Sequence, residues 1–438
     1  MMKKIFSISF FFIFLTQIQA LDLTDTQSTL ADIFPSSVDP NEGTTVFRSM
    51  NIPCGGRTEA LGTAFSALCD DSTFFDYNPA GSAILNQTEI SLSHNAWIAD
   101  SAIETLALTR RNGNTGYGAQ LKCFYVPFSE YNLYGDRVAG SYYSETSATF
   151  NLSHTFLAGY TFRGISAGAN LKLAWRSVPD YTDNRDDSII SGSGLEQSAL
   201  GIMGDLGAMA SFNALKFYQD REPNIKLALT LNNFGASLTG FGSSIKKDDD
   251  TPARISAGFS YRPFARLMIT SELRKPVLLS NFSSSGKLSF ATGLEAKLTP
   301  IFAFQCGFLL QGANPRFSLG SEFDIKGIKM DVAYTLDLTT SANPVNHISL
   351  SAKMTFGDRG RKATMAQVDQ LYLEGLQFYS EGYYNEAIIK WEEAIKKAAS
   401  SPLCIKFEPA IQARDAALNF NKQKSNLEDI YNIPFEEY

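Results

Sequence analysis

An active site needs a nucleophile beside a base, or a cage of metal ligands, and this sequence is thin in both. Its histidines are His94, His154 and His347, and its cysteines are Cys54, Cys69, Cys123, Cys306 and Cys404. Their spacings match no metal site, and five thiols cannot all pair internally. Cys54 and Cys69 are close enough in sequence to bridge in an oxidising compartment; the other reading, for all five, is burial as small apolar side chains. Ser153 and His154 are sequence neighbours that point to opposite faces of a strand, and no Ser/His/acid set converges on one face. Neither an enzyme nor a metal or cofactor is therefore expected. The polar groups that do recur are charges at alternate positions. Arg254, Arg262, Arg266, Glu272, Arg274, Glu295, Lys297, Arg316, Glu322, Asp324, Lys326, Lys329, Asp331, Asp337 and Lys353 share one parity, while Phe259, Phe290, Phe304, Phe317, Val332, Tyr334 and Leu350 share the other. Charges on one face of a set of strands either line a pathway or pair across a filled interior, and pairing is the expectation for most of them.

Such charges need strands to position them, and the composition is suited to strands. The chain has 438 residues, 45 acidic and 38 basic, a net charge of −7, and only 19% charged residues, with 33 Phe, 18 Tyr and 32 Gly. The acidic balance argues against a nucleic-acid binder, which needs a basic stripe. The apolar content is too high for disorder.

From 88 to 356 the chain repeats segments in which apolar residues alternate with small, polar or charged ones, which is the signature of strands. In the clearest case Phe150, Leu152, His154 and Phe156 oppose Thr149, Asn151, Ser153 and Thr155, and after a turn at Arg163-Gly164 the pattern resumes at Ile165. About fourteen such segments are predicted, an even number, as a single-chain outer-membrane barrel requires. The first two alternate too poorly to fix their facing. Short turns at Arg163-Gly164, Pro263-Phe264, Thr299-Pro300 and Gly327 fall on one side of the barrel. Long connections at 127–147, 179–199, 235–251 and 276–286 fall on the other. The turn near 214–223 breaks this rule. Segregated turns belong to a membrane barrel with periplasmic chain ends.

Lys3 and Lys4 before an apolar run over 5–15, then a polar stretch ending at Ala20, read as a secretory signal peptide over 1–20. Residues 21–87 then precede the barrel. Within them, 58–68 is expected to be a short helix capped by Thr58. Asn78, Pro79, Ala80 and Gly81 form a turn in which Pro fixes φ and Asn caps locally.

The run of Arg57, Leu61, Gly62, Ala64 and Phe65, then Asp70 and Asp71, then Tyr77-Asn78-Pro79-Ala80-Gly81, resembles the N-terminal signature of FadL-type long-chain fatty-acid transporters, and within that superfamily an uncharacterised spirochaete-type branch. The resemblance covers roughly 45–356. It implies a mainly β fold, a fourteen-stranded transmembrane β-barrel over 88–356 in the outer membrane, with an N-terminal hatch in its lumen. It also implies that Asn78, Pro79, Ala80 and Gly81 belong to that hatch, as a gate or as a structural plug turn, and that the ligand is a long-chain fatty acid or another hydrophobic molecule. The same motif occurs in secretion-system relatives, so a structural or secretion-associated barrel is the alternative.

After a linker over 357–364 the period changes. Gly375, Phe378, Tyr384, Ala387, Trp391 and Ala394 have the spacing of a tetratricopeptide repeat, where small residues let two helices cross closely. The segment over 365–438 holds about one and a half repeats, too few to bury their faces alone. It is expected in the periplasm, docked on the barrel rim, on another copy, or on a protein partner.

Overall fold

The computed structural model describes residues 45–431 apart from 86, 98–99, 132–133, 158–163, 184–187, 219–221, 243, 281–287, 312–313, 326, 339–345, 358–360 and 401–406. The signal peptide expected over 1–20 lies outside the described residues. Alternating segments form β1 (Glu89–Ala96), β2 (Ala102–Asn112), β3 (Thr115–Tyr131), β4 (Arg137–Phe156), β5 (Ile165–Ser177), β6 (Ala199–Phe212) and β7 (Ile225–Thr239). The second half supplies β8 (Arg254–Phe264), β9 (Leu267–Pro276), β10 (Ser289–Lys297), β11 (Phe302–Gln311), β12 (Asn314–Ile325), β13 (Ile328–Asp337) and β14 (His347–Thr355). Each pairs antiparallel with its neighbours in sequence, and β1 also pairs with β14, so fourteen strands close into a barrel. A two-residue strand, Lys246–Lys247, adds to β7 outside that ring.

The facing follows from the parity. Phe150, Leu152 and Phe156 of β4 are exposed, while Thr149, Asn151, Ser153 and Thr155 are buried. Exposed Leu and Phe at alternate positions of a strand would be costly in water and are at home against hydrocarbon. β1 buries Glu89, Ser91 and Asn95 and exposes Leu92; β2 buries Thr105 and Thr109 and exposes Leu106 and Leu108. Among the described residues, no helix is long and apolar enough to cross a membrane. Most of the charges on the polar parity face inward, with two departures: Arg266 lies in the β8–β9 turn and Lys297 at the end of β10, both exposed. Lys326 lies outside the described residues.

Several strand boundaries differ from expectation: β8 runs through Pro263-Phe264, expected as a turn, and the chain turns at Ala265-Arg266 instead. The ladder pairs Phe156 with Ile165, so β4 ends before the turn expected at Arg163-Gly164, of which Arg163 lies outside the described residues; Leu157 leaves the strand with φ 54°. Much of the connection expected over 127–147 is a hairpin, with β3 running to Tyr131 and β4 beginning at Arg137. It rises beyond its neighbours, where both faces meet solvent and alternation no longer marks a strand. β7 runs past 234 to Thr239 because its register to β6 shifts between Gly204 and Leu206, with Asn233 at φ 56°, which moves the parity by one.

A five-residue helix, α1 (Gly56–Ala60), precedes the barrel, and α2 (Ser193–Gln197) sits in the β5–β6 connection. Beyond the barrel come α3 (Arg361–Ser380), α4 (Tyr384–Ser400) and α5 (Glu408–Tyr431). The three pack on a core of Val368, Ala387, Trp391, Ala394, Phe407 and Ala410. α3 and α4 cross at Gly375, where a Cβ would lie 2.4 Å from Trp391 Nε1. Phe378 packs against this core, and the Tyr384 ring sits 5.2 Å from Tyr379 and 4.9 Å from Phe420. The six positions chosen by spacing therefore meet in one small helical unit.

Candidate functional site

The chain enters the lumen at the long-connection end, where Thr45 bridges to Asp250, and leaves it to begin β1 at the short-turn end. In between it forms a plug with its own apolar core of Leu61, Phe65, Leu68, Phe74, Phe75 and Tyr77. α1 packs against β11 to β14 and stops after one turn because Gly62 (φ 61°) and Thr63 (φ 68°) turn left-handed. The helix expected over 58–68 is thus shorter and begins earlier. Thr58 lies inside it, and its hydroxyl donates back to the carbonyls of Cys54 and Gly55 at 2.7 and 2.8 Å.

Two 3-10 turns follow, Ser72–Asp76 and Pro79–Ala83. Asn78 caps the second: its Oδ1 accepts from Ala80 N at 3.0 Å, while its Nδ2 donates to Ser66 O at 2.9 Å. Asn78, Pro79, Ala80 and Gly81 are all buried. The Pro79 carbonyl accepts from Asn151 Nδ2 at 2.8 Å, and Ser82 Oγ lies 2.6 Å from Ser153 Oγ. Plug backbone touches wall backbone where the wall has glycine. A Cβ at Gly307 would overlap Gly62 N, and one at Gly168 would overlap the Pro79 carbonyl oxygen.

Inward charges of the barrel hold the plug more than they hold each other. Arg57 is the hub: its guanidinium lies 2.7 Å from Glu295, 3.0 Å from Asp71 and 3.7 Å from Glu322, and it also pairs with Asp70. Lys353 extends the network, 2.7 Å from Asp71 and 2.9 Å from Asp331. Glu272 accepts from the backbone N–H groups of Phe65 and Ser66 at 3.0 and 2.8 Å, and Arg274 donates to Thr63 Oγ1 at 2.7 Å. The Tyr77 ring lies beneath two guanidiniums, those of Arg254 and Arg274, at 5.8 and 5.6 Å. Burial alone would raise the Asp70 and Asp71 carboxyls. Arg57 outweighs it at Asp70, which lies well below the usual carboxylate range, and Lys353 with Arg57 holds Asp71 at about 2.

Above the plug, at the long-connection end, is a chamber of about 680 Å³. It is amphipathic: Phe47, Val277 and Leu309 share its wall with Arg48, Arg316 and Glu59. Arg48 and Arg316 make no ion pair within the described residues. Cys54 and Cys69 are free thiols, both buried in the plug, and do not bridge. Among the described residues no group of His, Cys, Asp or Glu forms a metal cage.

The sequence pattern named Arg57, Asp70, Asp71 and Asn78 but not their pairing. It did place the wall charges on the inward parity, which was the available signal for their partners. The grip of Glu272 on two backbone amides had no signal in the sequence.

A closed fourteen-stranded barrel with a lumenal N-terminal plug has the fold of outer-membrane transporters. Residues 24–359 match the model of an uncharacterised protein family, UPF0164, and the chain belongs to that family. A UPF0164 protein of Treponema pallidum (strain Nichols) is 32% identical over 399 residues, which is 88% of this chain and 86% of that protein. A second from the same organism is 29% identical over 395 residues, 86% of this chain and 76% of that one. Among solved structures, the CymD monoaromatic hydrocarbon channel is similar with a TM-score of 0.50 at 14% identity, over 70% of this chain and 98% of that one. A Pseudomonas aeruginosa FadL homologue gives 0.44 at 12% identity, over 69% of this chain and 98% of that one. At such identities the CymD likeness is one of fold.

Proposed function

We propose that the protein is a passive outer-membrane transporter that takes up long-chain fatty acids or similar hydrophobic molecules, with the plug as its hatch. The observation that carries this reading is a lumen closed by a segment held through polar contacts, beneath an amphipathic chamber on the long-connection side. A fatty acyl chain fits against Phe47, Val277 and Leu309, and a carboxylate has the guanidiniums of Arg48 and Arg316 to meet. Passage requires the plug to rearrange, and a gating role for Asn78 is supported by its side-chain amide, which ties its own turn to Ser66 O. The energy source is the gradient. Asn78→Ala should alter uptake of radiolabelled oleate without changing the amount of barrel in the membrane; unaltered uptake would refute gating by Asn78.

The helical unit α3–α5 is read as a periplasmic, tetratricopeptide-like segment that recruits a protein partner. The second reading, a structural or secretion-associated barrel acting through that unit, draws on Leu373, Leu376 and Ile389, which are exposed on its helices. Under that reading, deleting 363–438 abolishes partner co-purification and leaves lipid uptake unchanged.

A further inference from the structure

The plug is two pieces, each fastened to its own side of the barrel. The first, residues 54–68, is held mainly by β9 to β14. Gly56 N donates to Ser351 Oγ at 3.2 Å, Arg57 pairs with Glu295, Glu272 accepts from Phe65 N and Ser66 N, and Thr270 Oγ1 donates to Ala64 O at 2.8 Å. The second, residues 72–85, is held mainly by β1 to β8. Ser72 N donates to Glu89 at 2.7 Å, Asn170 Nδ2 to Phe75 O at 3.1 Å, Asn151 Nδ2 to Pro79 O at 2.8 Å and Asn232 Nδ2 to Tyr77 O at 3.2 Å. The exceptions sit at or near where the two sides of the barrel meet: Asn95 of β1 reaches Glu59 at 3.3 Å, Lys226 of β7 reaches Leu68 O at 2.9 Å, and Arg274 of β9 lies over the Tyr77 ring at 5.6 Å.

Contacts between the two pieces are of a different kind: few polar groups cross, and Leu61, Phe65 and Leu68 of the first share one apolar core with Phe74, Phe75 and Tyr77 of the second. Asn78 Nδ2 donates to Ser66 O, the Phe65 and Tyr77 rings meet edge to face at 5.5 Å, and Arg57 of the first piece pairs with Asp71 in the connection between them. The chain crosses from one piece to the other through Cys69, a residue other than glycine held at φ 40°, a conformation that costs energy and marks a place where backbone is constrained.

We infer that the lumen opens along the seam between these pieces, each remaining on its own wall, with Asn78 and the Phe65–Tyr77 contact as the closure and Cys69–Asp71 as the hinge. This deepens the uptake reading and rests on it for its purpose. A plug that left as one body would have to break both sets of wall contacts together; a seam breaks neither, and parts instead the few polar contacts named above and the apolar core the two pieces share.

Two locks distinguish these motions, in a chain whose native cysteines are replaced by serine. Ser82→Cys with Ser153→Cys pins the second piece to β4, since the two hydroxyls are 2.6 Å apart. Phe65→Cys with Tyr77→Cys, bridged by a short bis-maleimide, pins the seam. Each protein is reconstituted in planar bilayers and its opening events are counted as ion current, a readout that does not depend on the substrate. The oxidised wall lock should open as often as its reduced form. The seam pair should open more often before bridging, because two rings are gone, and fall to background after it. Loss of openings in the oxidised wall lock, or persistence in the bridged seam, overturns the inference. Because each protein is compared with itself before and after locking, a folding defect shows as altered current in both states of one pair, and the other pair then decides. Oleate uptake is measured in parallel: absent uptake with seam-controlled openings removes the substrate reading and leaves the seam standing.

Discussion

Replacing Arg57 with alanine tests the latch at its hub. The guanidinium is 4% exposed and within salt-bridge distance of Asp70, Asp71, Glu295 and Glu322. Asp70, at 30% exposure, is partly screened by water, so its share is discounted. The buried partners Glu295 and Asp71 decide the magnitude, because the variant leaves them without their cation, apart from Lys353 beside Asp71. Removing one partner of a buried pair costs about 3–5 kcal/mol, most of it from the carboxylate left behind. At 1.4 kcal/mol per decade, that shifts the balance between seated and released plug by about 10²–10⁴. The barrel should be untouched, since Arg57 belongs to no strand ladder. Opening frequency in planar bilayers reads the seated fraction, and the heat-dependent mobility shift on gels reads the barrel. Arg57→Ala is expected to open far more often with a normal heat shift, and adding Glu295→Gln should recover part of the seating by removing one orphaned charge. An Arg57→Ala barrel that is folded but opens no more often than the wild type would refute the latch.

Other outcomes follow from the same contacts. The Asp70 and Asp71 carboxyls are depressed in the seated plug, Asp71 to about 2, against an ordinary value of roughly 4. Seating should therefore weaken as the pH falls from about 4 towards 2, read as rising conductance; conductance that stays flat over that interval would contradict it. Cys54 and Cys69 are buried and their thiols are pushed upwards by burial, Cys54 to about 12, so neither should react with maleimide in the wild type and both should react in Arg57→Ala, as peptide mass spectrometry would show. Trp391→Ala should cost the helical unit about 3–5 kcal/mol, melting its far-UV helical signal while the barrel keeps its heat shift.

The barrel was legible because its strands are amphipathic in the simplest way: Thr149, Asn151, Ser153 and Thr155 inward against Phe150, Leu152 and Phe156 outward leave no choice of face. Legibility failed where that physics stops. The upper part of the β3–β4 hairpin is wetted on both sides, and the bulge at Asn233 shifts the parity within β7. The plug was legible as a motif and not as a geometry. Asn78-Pro79 announces a capped turn through local hydrogen bonding, whereas the pairing of Arg57 with Glu295 spans 238 positions and depends on which strands close the ring. The short α1 was overextended because a run of good helix formers is stopped by left-handed Gly62 and Thr63, where Gly62 meets Gly307 of the wall.

The central claim is downhill uptake of a hydrophobic molecule through this barrel. It is tested most directly by expressing the chain in a Gram-negative host that lacks its own fatty-acid uptake barrel and measuring radiolabelled oleate accumulation, with barrel levels in the outer membrane matched by immunoblot. Accumulation should exceed the empty host and fall to background when the plug seam is bridged. Accumulation equal to the empty host, with the barrel folded and present, would contradict the claim.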